Sequence, residues 1–272
     1  MEKSVHKAIH PMGILKESFL IWWKNLIAVV AIYSITIFLA RLLQLSKGMT
    51  GSSGASGTNL SLSILFIVEL IAVLIANSFL ALVVIYYFKA AKEKRPSFPL
   101  VFEEASRSIV SYLKPYFLLL LFVAVVSLIA FLVFVAGDSF YKGPGAFSII
   151  KLAVLVATDT VFVVLVLAGA WYGFFFTLAP LIGGFEKKGA WLSFRESRAR
   201  IRGNALRYLV VVVSFIVFYV AVGLLGYFLL THFSHPRFLL RKLDPAMAAL
   251  FGPLWLAVWY SCYEKLTASK VV

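Results

Sequence analysis

The chain has little charge and almost no cysteine. Charged residues make up 14% of its 272 residues, and 12 acidic residues stand against 26 Lys and Arg. A soluble domain usually carries about a quarter charged residues. The single cysteine, Cys262, excludes an intramolecular disulfide. Because 62% of the residues are hydrophobic and the mean hydropathy is +0.95, a water-soluble fold of this length cannot cover its apolar side chains, and we expect lipid as its outer solvent.

The sequence also lacks the patterns that mark common catalytic and cofactor sites. It contains no Gly-rich phosphate loop, no spaced set of Ser, His and Asp, and no Cys/His spacing of a metal site. We therefore predict no enzymatic activity, no cofactor and no metal site. A net charge of +14 suggests a nucleic-acid partner in a soluble protein. Here the basic residues lie in short segments between apolar runs, so no nucleic-acid partner is predicted.

Six apolar runs are long enough to cross a bilayer as helices. A spanning helix needs about 20 mostly apolar residues, because lipid offers its backbone groups no partners. The runs cover residues 26–43, 60–88, 116–136, 149–178, 209–230 and 246–263. The sequence therefore predicts an all-α integral membrane protein with six transmembrane helices, formed by a single domain over residues 1–272.

The basic residues between the runs predict the orientation. Nineteen of the 26 Lys and Arg lie in the N-terminus, the 89–114 and 186–207 loops and the C-terminus, and seven lie on the opposite side. Loops rich in Lys and Arg stay in the cytoplasm. We expect a multi-pass protein of the cell membrane with its N- and C-termini in the cytoplasm.

A short pattern recurs before alternate spans. Glu17-Ser18 is followed by Asn25, and Glu196-Ser197 is followed by Asn204 at the same spacing. Glu104-Ala105 lies between them, at offsets of 87 and 92 residues. The pattern predicts three parallel hairpins, over about 10–90, 97–185 and 189–268.

Each of these units is predicted to begin with an amphipathic helix that lies on the cytoplasmic surface of the membrane. Apolar side chains fall on one helical face and charges on the other, as in helices at the headgroup region. The three apolar faces consist of Leu15, Phe19, Trp22 and Leu26; of Phe98, Phe102, Ala105 and Ile109; and of Trp191, Phe194, Ile201 and Ala205.

These features resemble uncharacterised prokaryotic six-helix membrane families. An interfacial helix with Glu-Ser and basic residues precedes Gly203-Asn204 at the start of a span, and Pro180 and Phe185-Glu186 fit the same pattern. One similar module is the membrane domain fused to some glycerophosphodiester phosphodiesterases. The resemblance implies a six-span helical bundle. The phosphodiesterase barrel, with its His and carboxylate metal ligands, has no counterpart in this sequence, so its activity is not implied.

Two acidic residues lie inside predicted spans. Glu69 is about nine residues into the second span and Asp159 about ten into the fourth. A charge near the middle of a bilayer costs about 2.5–3.5 kcal/mol, so we expect both to face the bundle interior. They belong either to a proton or cation pathway, assisted by Asn77, Thr158 and Thr160, or they are neutral carboxyl groups bonded to a neighbouring helix.

Small residues predict two close helix contacts. Gly169 and Gly173 have the spacing that lets helices approach closely, and so do Ala248 and Gly252.

A cluster of arginines marks the third repeat unit. Its members are Arg195, Arg198, Arg200, Arg202 and Arg207. Each basic side chain near an anionic leaflet contributes about 1 kcal/mol of attraction.

Two functions follow as hypotheses. The first is a non-catalytic module or accessory subunit that binds anionic lipid or a membrane or cytoplasmic protein partner. The second is a transporter or channel that uses Glu69 and Asp159.

Overall fold

The computed structural model describes residues 10–35, 38, 59–93, 97–142, 149–233 and 236–268, without the side chains of 59–70 and 229–246. Regular structure in this part of the chain is entirely helical, which confirms the all-α prediction. The helices are α1 (Pro11–Lys24), α2 (Leu26–Ile35), α3 (Asn59–Lys92), α4 (Phe98–Lys142), α5 (Ile149–Phe176), α6 (Ala179–Glu186), α7 (Ala190–Arg202), α8 (Ala205–Phe233) and α9 (Pro236–Ala268).

Several of these helices are long and apolar enough to cross a membrane. Among the described residues the candidates are Ile71–Lys92, Phe98–Lys142, Ile149–Glu186 and Ala205–Phe228. The bent pair α1 and α2 makes a fifth candidate if it counts as one span. None of the 28 residues of α5 is buried, as expected of a helix whose apolar side chains face lipid. The protein is therefore a multi-pass membrane protein. The run at 246–263 lies in α9, which is not among these candidates.

The first helix ends in a sharp bend. Pro11 occupies the first turn of α1, where its missing N–H removes no helical bond. The Nδ1 atom of His10 accepts a hydrogen bond from the Gly13 N–H at 3.3 Å. At Asn25 the chain turns by 80° into α2. The Asn25 side chain donates to the Ile21 carbonyl at 2.8 Å, which closes the end of α1.

The second predicted surface helix is not a separate element. Residues 98–109 continue into the apolar run as one helix, α4, which passes through Pro115. Proline has no N–H for the carbonyl four residues earlier, but its backbone angle suits a helix, so the packed helix continues across it. The third predicted surface helix, α7, is separate from α8, with Gly203 and Asn204 between them.

The described residues form two compact units. One contains the residues up to Ile109 and those from Gly203 onward, and the other contains Val110–Arg202. In the first unit α9 packs against α1, α3 and α8. The Trp22 indole donates to the Leu250 carbonyl at 3.1 Å, which attaches α1 to α9. A Cβ on Gly252 would lie 2.5 Å from the Tyr33 ring, so the predicted close approach at Gly252 is present.

The second unit contains a closely packed pair of antiparallel helices. A Cβ on Gly137 would meet the Thr158 side chain at 2.1 Å, and one on Gly169 would meet Val126 at 2.6 Å. The α4 and α5 backbones therefore approach closely at Gly169, as predicted. Gly173 has no atom within 4 Å of such a Cβ and makes no such contact.

The short helix α6 completes the second unit. Its first six residues, Ala179 to Gly184, are all buried. A Cβ on Gly183 would lie 2.4 Å from the Ser111 carbonyl oxygen of α4. Only glycine allows this approach, because the obstructing atom belongs to the backbone.

Candidate functional site

Helix α7 presents two different faces. Its buried side chains are Ser193, Ser197, Arg200 and Ile201. On another face Trp191, Arg195, Arg198 and Arg202 are exposed and follow one another at the three- and four-residue spacing of a helical stripe. The predicted apolar face is therefore divided. Ile201 packs inside the unit, whereas Trp191 is 82% exposed.

The buried positions of α7 recur at the corresponding places of the predicted repeat. Ser18, Ala105 and Ser197 share one position of the Glu-Ser pattern, and all three are fully buried. One turn earlier, Ile14, Val101 and Ser193 are buried as well. The small side chains of Ser18, Ala105 and Ser197 allow close packing at this position. Each of the three segments also has an exposed aromatic side chain, at positions that do not correspond: Phe19, Phe102 and Trp191.

The inner face of α7 holds a buried ion-pair cluster. The Arg200 guanidinium contacts Glu186 at 2.7 Å and Glu196 at 2.9 Å, and its side chain is only 4% exposed. Lys188 contacts the same two carboxylates at 2.8 and 2.5 Å. Hydrogen bonds to Glu186 and Glu196 raise the pKa of Lys188 above its ordinary value. The cluster contains two positive and two negative charges, so its formal charges cancel.

The turn between α6 and α7 makes this cluster possible. Glu186 ends α6, and Lys187 adopts a left-handed conformation with φ of 52°. Lys188 then lies beside the carboxylates of both helices. The Ser197 hydroxyl donates to the Phe175 carbonyl at 2.6 Å, which attaches the same face of α7 to α5.

The predicted arginine cluster is therefore not one site. Arg200 is buried among carboxylates and is unavailable to a headgroup, because its charge is already compensated. Arg207 is exposed on α8 in the first unit and donates to the Asn204 side chain at 3.4 Å. Arg195, Arg198 and Arg202 are exposed, and none of them has an ion-pair or hydrogen-bond partner within the described parts of the chain.

A second ion-pair cluster, in the first unit, was not predicted from the sequence. Lys92 at the end of α3 contacts both Glu17 of α1 and Glu264 of α9. Lys265 contacts Glu17 at 3.0 Å. Glu17 and Glu196 occupy equivalent positions of the Glu-Ser pattern, and each contacts two cations. The shared spacing indicated that Glu17 and Glu196 correspond to each other, but it did not indicate which cations contact them.

The structure describes the side chain of one of the two acidic residues predicted to lie inside spans. Asp159 is exposed on α5, contrary to the expectation that it faces the interior. Thr158, its neighbour, faces Gly137 of α4, so Asp159 is turned away from that contact. Glu69 lies in α3, and its side chain is outside the described residues.

The other polar side chains of the predicted pathway are two threonines and Asn77. The Thr158 and Thr160 hydroxyls donate to carbonyls of their own helix. Asn77 is half-buried in α3, and its Oδ1 atom is buried without a hydrogen-bond partner among the described residues.

Comparisons with protein-family models, with curated proteins and with solved structures find no match to this chain. The function is therefore inferred from the two faces of α7 and the charges they carry.

Proposed function

We propose that this chain is a non-catalytic module of the cell membrane that binds anionic lipid headgroups through the outer face of α7. The observation that carries the proposal is that Arg195, Arg198 and Arg202 are exposed and have no ion-pair or hydrogen-bond partner among the described residues. Guanidinium groups bind phosphate oxygens through paired hydrogen bonds. The neighbouring Arg200 is compensated by two carboxylates, which leaves the three outer charges available to a ligand.

The architecture that we propose for this module has six spans arranged as three hairpins. The equivalent burial of Ser18, Ala105 and Ser197 supports the repeat. The 80° turn at Asn25 supports a surface helix that precedes a span. The similarity to the membrane domain fused to some glycerophosphodiester phosphodiesterases remains part of this proposal and concerns architecture alone. With both termini in the cytoplasm, α7 lies at the inner leaflet, where anionic lipids are concentrated.

The proposal is tested by counting retained lipid. The full chain is extracted from membranes that contain phosphatidylglycerol, and the lipid that copurifies is quantified. We expect Arg195→Gln/Arg198→Gln/Arg202→Gln to weaken binding roughly 100-fold, from about 1 kcal/mol for each arginine near an anionic surface. A charge-matched control replaces the exposed Lys16, Lys24 and Lys114 with Gln.

The control distinguishes a lipid-binding site on α7 from the general attraction between a basic protein and anionic lipid. Retention of anionic lipid by the control at the wild-type level, with loss in the arginine variant, supports the proposal. If both variants lose the same amount of anionic lipid, net charge alone explains the binding and a site on α7 is contradicted. If both variants retain lipid at the wild-type level, lipid binding by α7 is contradicted. A protein partner that copurifies only with intact arginines would support the partner-binding form of the module instead.

The transporter hypothesis has less support. It requires Glu69 and Asp159 to act from the bundle interior, whereas Asp159 is exposed. Its test remains the flux of protons or cations into proteoliposomes. If Glu69→Gln/Asp159→Asn abolishes a flux that the wild type carries, the transporter hypothesis replaces the lipid-binding one.

A further inference from the structure

A cavity in the second unit adjoins the basic face of α7. Its volume is about 410 Å³, within the range of about 300–1,000 Å³ that is usual for small-molecule sites. Leu118 and Phe122 of α4, Phe176 of α5, and Trp191 and Phe194 of α7 form its apolar lining. Arg195 and Arg198 complete the lining. The cavity thus combines a large apolar surface with two positive charges at one side.

The aromatic part of the lining is an ordered set of rings. Phe176 makes an edge-to-face contact with Phe122, with ring centroids 6.2 Å apart, and another with Phe194 at 5.0 Å. These contacts join α4, α5 and α7 through Phe176. Edge-to-face pairs hold aromatic rings in a preferred geometry, so the apolar lining is formed before a ligand arrives.

We propose that this cavity binds one anionic phospholipid, with an acyl chain against the aromatic rings and the phosphate at Arg195 and Arg198. We choose an anionic occupant because Arg195 and Arg198 line the cavity. An apolar ligand alone leaves two cations next to it without counter-ions, whereas an anionic amphiphile satisfies both parts of the lining. This inference rests on the proposed headgroup binding and adds an acyl-chain site to it.

The adjoining helices favour a lipid occupant over a peptide. None of the residues of α5 is buried, so the apolar surface next to the cavity is suited to contact with lipid. A phospholipid reaches the cavity along that surface without leaving the membrane.

The test uses the delipidated full chain in detergent and native mass spectrometry. Palmitoyl-oleoyl phosphatidylglycerol is titrated against phosphatidylcholine with the same chains. We expect one phosphatidylglycerol bound in preference, and we expect Arg195→Gln/Arg198→Gln to weaken it roughly 30-fold. Leu118→Trp, which fills the cavity and leaves the arginines intact, should weaken it at least tenfold. Leu128→Trp is the matched control, since Leu128 is exposed on the same helix and does not line the cavity.

A fluorescence measurement keeps the test informative if Leu118→Trp fails to fold. Phosphatidylglycerol with brominated acyl chains should quench wild-type tryptophan fluorescence, and Trp191→Phe should remove most of that quenching. Unchanged quenching in Trp191→Phe contradicts an acyl chain in the cavity.

Other outcomes overturn the inference in distinguishable ways. If the arginine variant loses lipid but Leu118→Trp does not, headgroup binding stands and the acyl-chain site is wrong. If glycerol phosphate or oleate displaces the phospholipid at equal concentration, the assigned occupant is wrong. Equal binding of phosphatidylcholine contradicts both the site and the proposed function.

Discussion

The two units use the same short sequence pattern in different surroundings. In the first unit Glu17 receives its cations from helices far along the chain, Lys92 of α3 and Lys265 of α9. In the second unit Glu196 receives Lys188 and Arg200 from its own helix and the turn before it. Glu17 and Glu196 therefore each hold two cations, and the fold determines where these cations come from.

The two clusters differ in depth. The Arg200 side chain is 4% exposed, whereas those of Glu17 and Lys92 are 28% and 23% exposed. A buried ion pair adds little net stability, because removing its charges from water costs free energy. Replacing one partner is nevertheless strongly destabilising, because the other charge is then left buried without a partner. The difference predicts that substitutions in the second unit have the larger effects.

The largest effect is expected for Arg200→Leu. The substitution removes the most deeply buried cation that contacts Glu186 and Glu196, so unfolding should become easier by about 3–5 kcal/mol. Thermal unfolding in detergent, followed by circular dichroism, measures this change. The control is Arg198→Leu, an exposed arginine of the same helix. Equal melting temperatures for the two variants would contradict the role of the buried cluster.

The glycine contacts give a second comparison between the units. Gly183→Ala brings a Cβ to 2.4 Å from a backbone oxygen, whereas Gly252→Ala meets the Tyr33 side chain, which is able to move. Overpacking lowers the free energy of unfolding by about 1–3 kcal/mol. We expect a decrease near the upper value for Gly183→Ala and near the lower value for Gly252→Ala.

Melting temperatures of both alanine variants test this order. Gly173→Ala is the control, because its Cβ meets no atom within 4 Å. The reverse order, with Gly252→Ala the more harmful, would show that the α4–α6 contact is the more adaptable one.

The smallest of the three effects is expected for Glu17→Gln. It removes one of the two carboxylates that hold Lys92, at partly exposed positions, so the loss should be about 1–2 kcal/mol. Cys262 is buried in α9 of the same unit, and its reaction with a thiol dye during heating reports the unfolding of that unit.

Glu104→Gln provides the matched control for this effect. Glu104 is the corresponding acidic residue of the predicted middle repeat, but it is 57% exposed and 3.7 Å from Lys89. We expect less than about 0.5 kcal/mol from this exposed pair. Dye reaction at the same temperature in Glu17→Gln and Glu104→Gln would mean that the Glu17 cluster adds no stability.

The general class of the protein was predictable from the sequence. The apolar runs lie in helices throughout the described residues, because in lipid a backbone satisfies its own hydrogen bonds only in a helix or a closed barrel. Close packing at Gly169 and Gly252 was also predictable, since small-residue spacing on apolar helices has few other uses. The continuity of α4 through Pro115 was not, because proline usually marks a helix boundary.

The candidate site was predictable only in outline. Five arginines formed one cluster in the sequence, but Arg200 lies one helical turn from Glu196 and contacts Glu186, the last residue of α6. A periodic pattern indicates which residues share a face, and it does not reveal what lies opposite that face. Asp159 is a similar case, because its exposure follows from the face of α5 that packs against α4.

The sequence by itself determined that the chain is helical, membrane-bound and basic. Its apolar composition requires lipid around the side chains, and its apolar runs are long enough to cross a bilayer as helices. Only the tertiary structure decided which charges are compensated. Its ion pairs join residues far apart in the chain, such as Glu17 and Lys265, which are 248 positions apart. Among the five clustered arginines, Arg195, Arg198 and Arg202 have no ion-pair or hydrogen-bond partner in the described part of the chain, because the charge of an arginine is compensated only where the fold brings a partner to it.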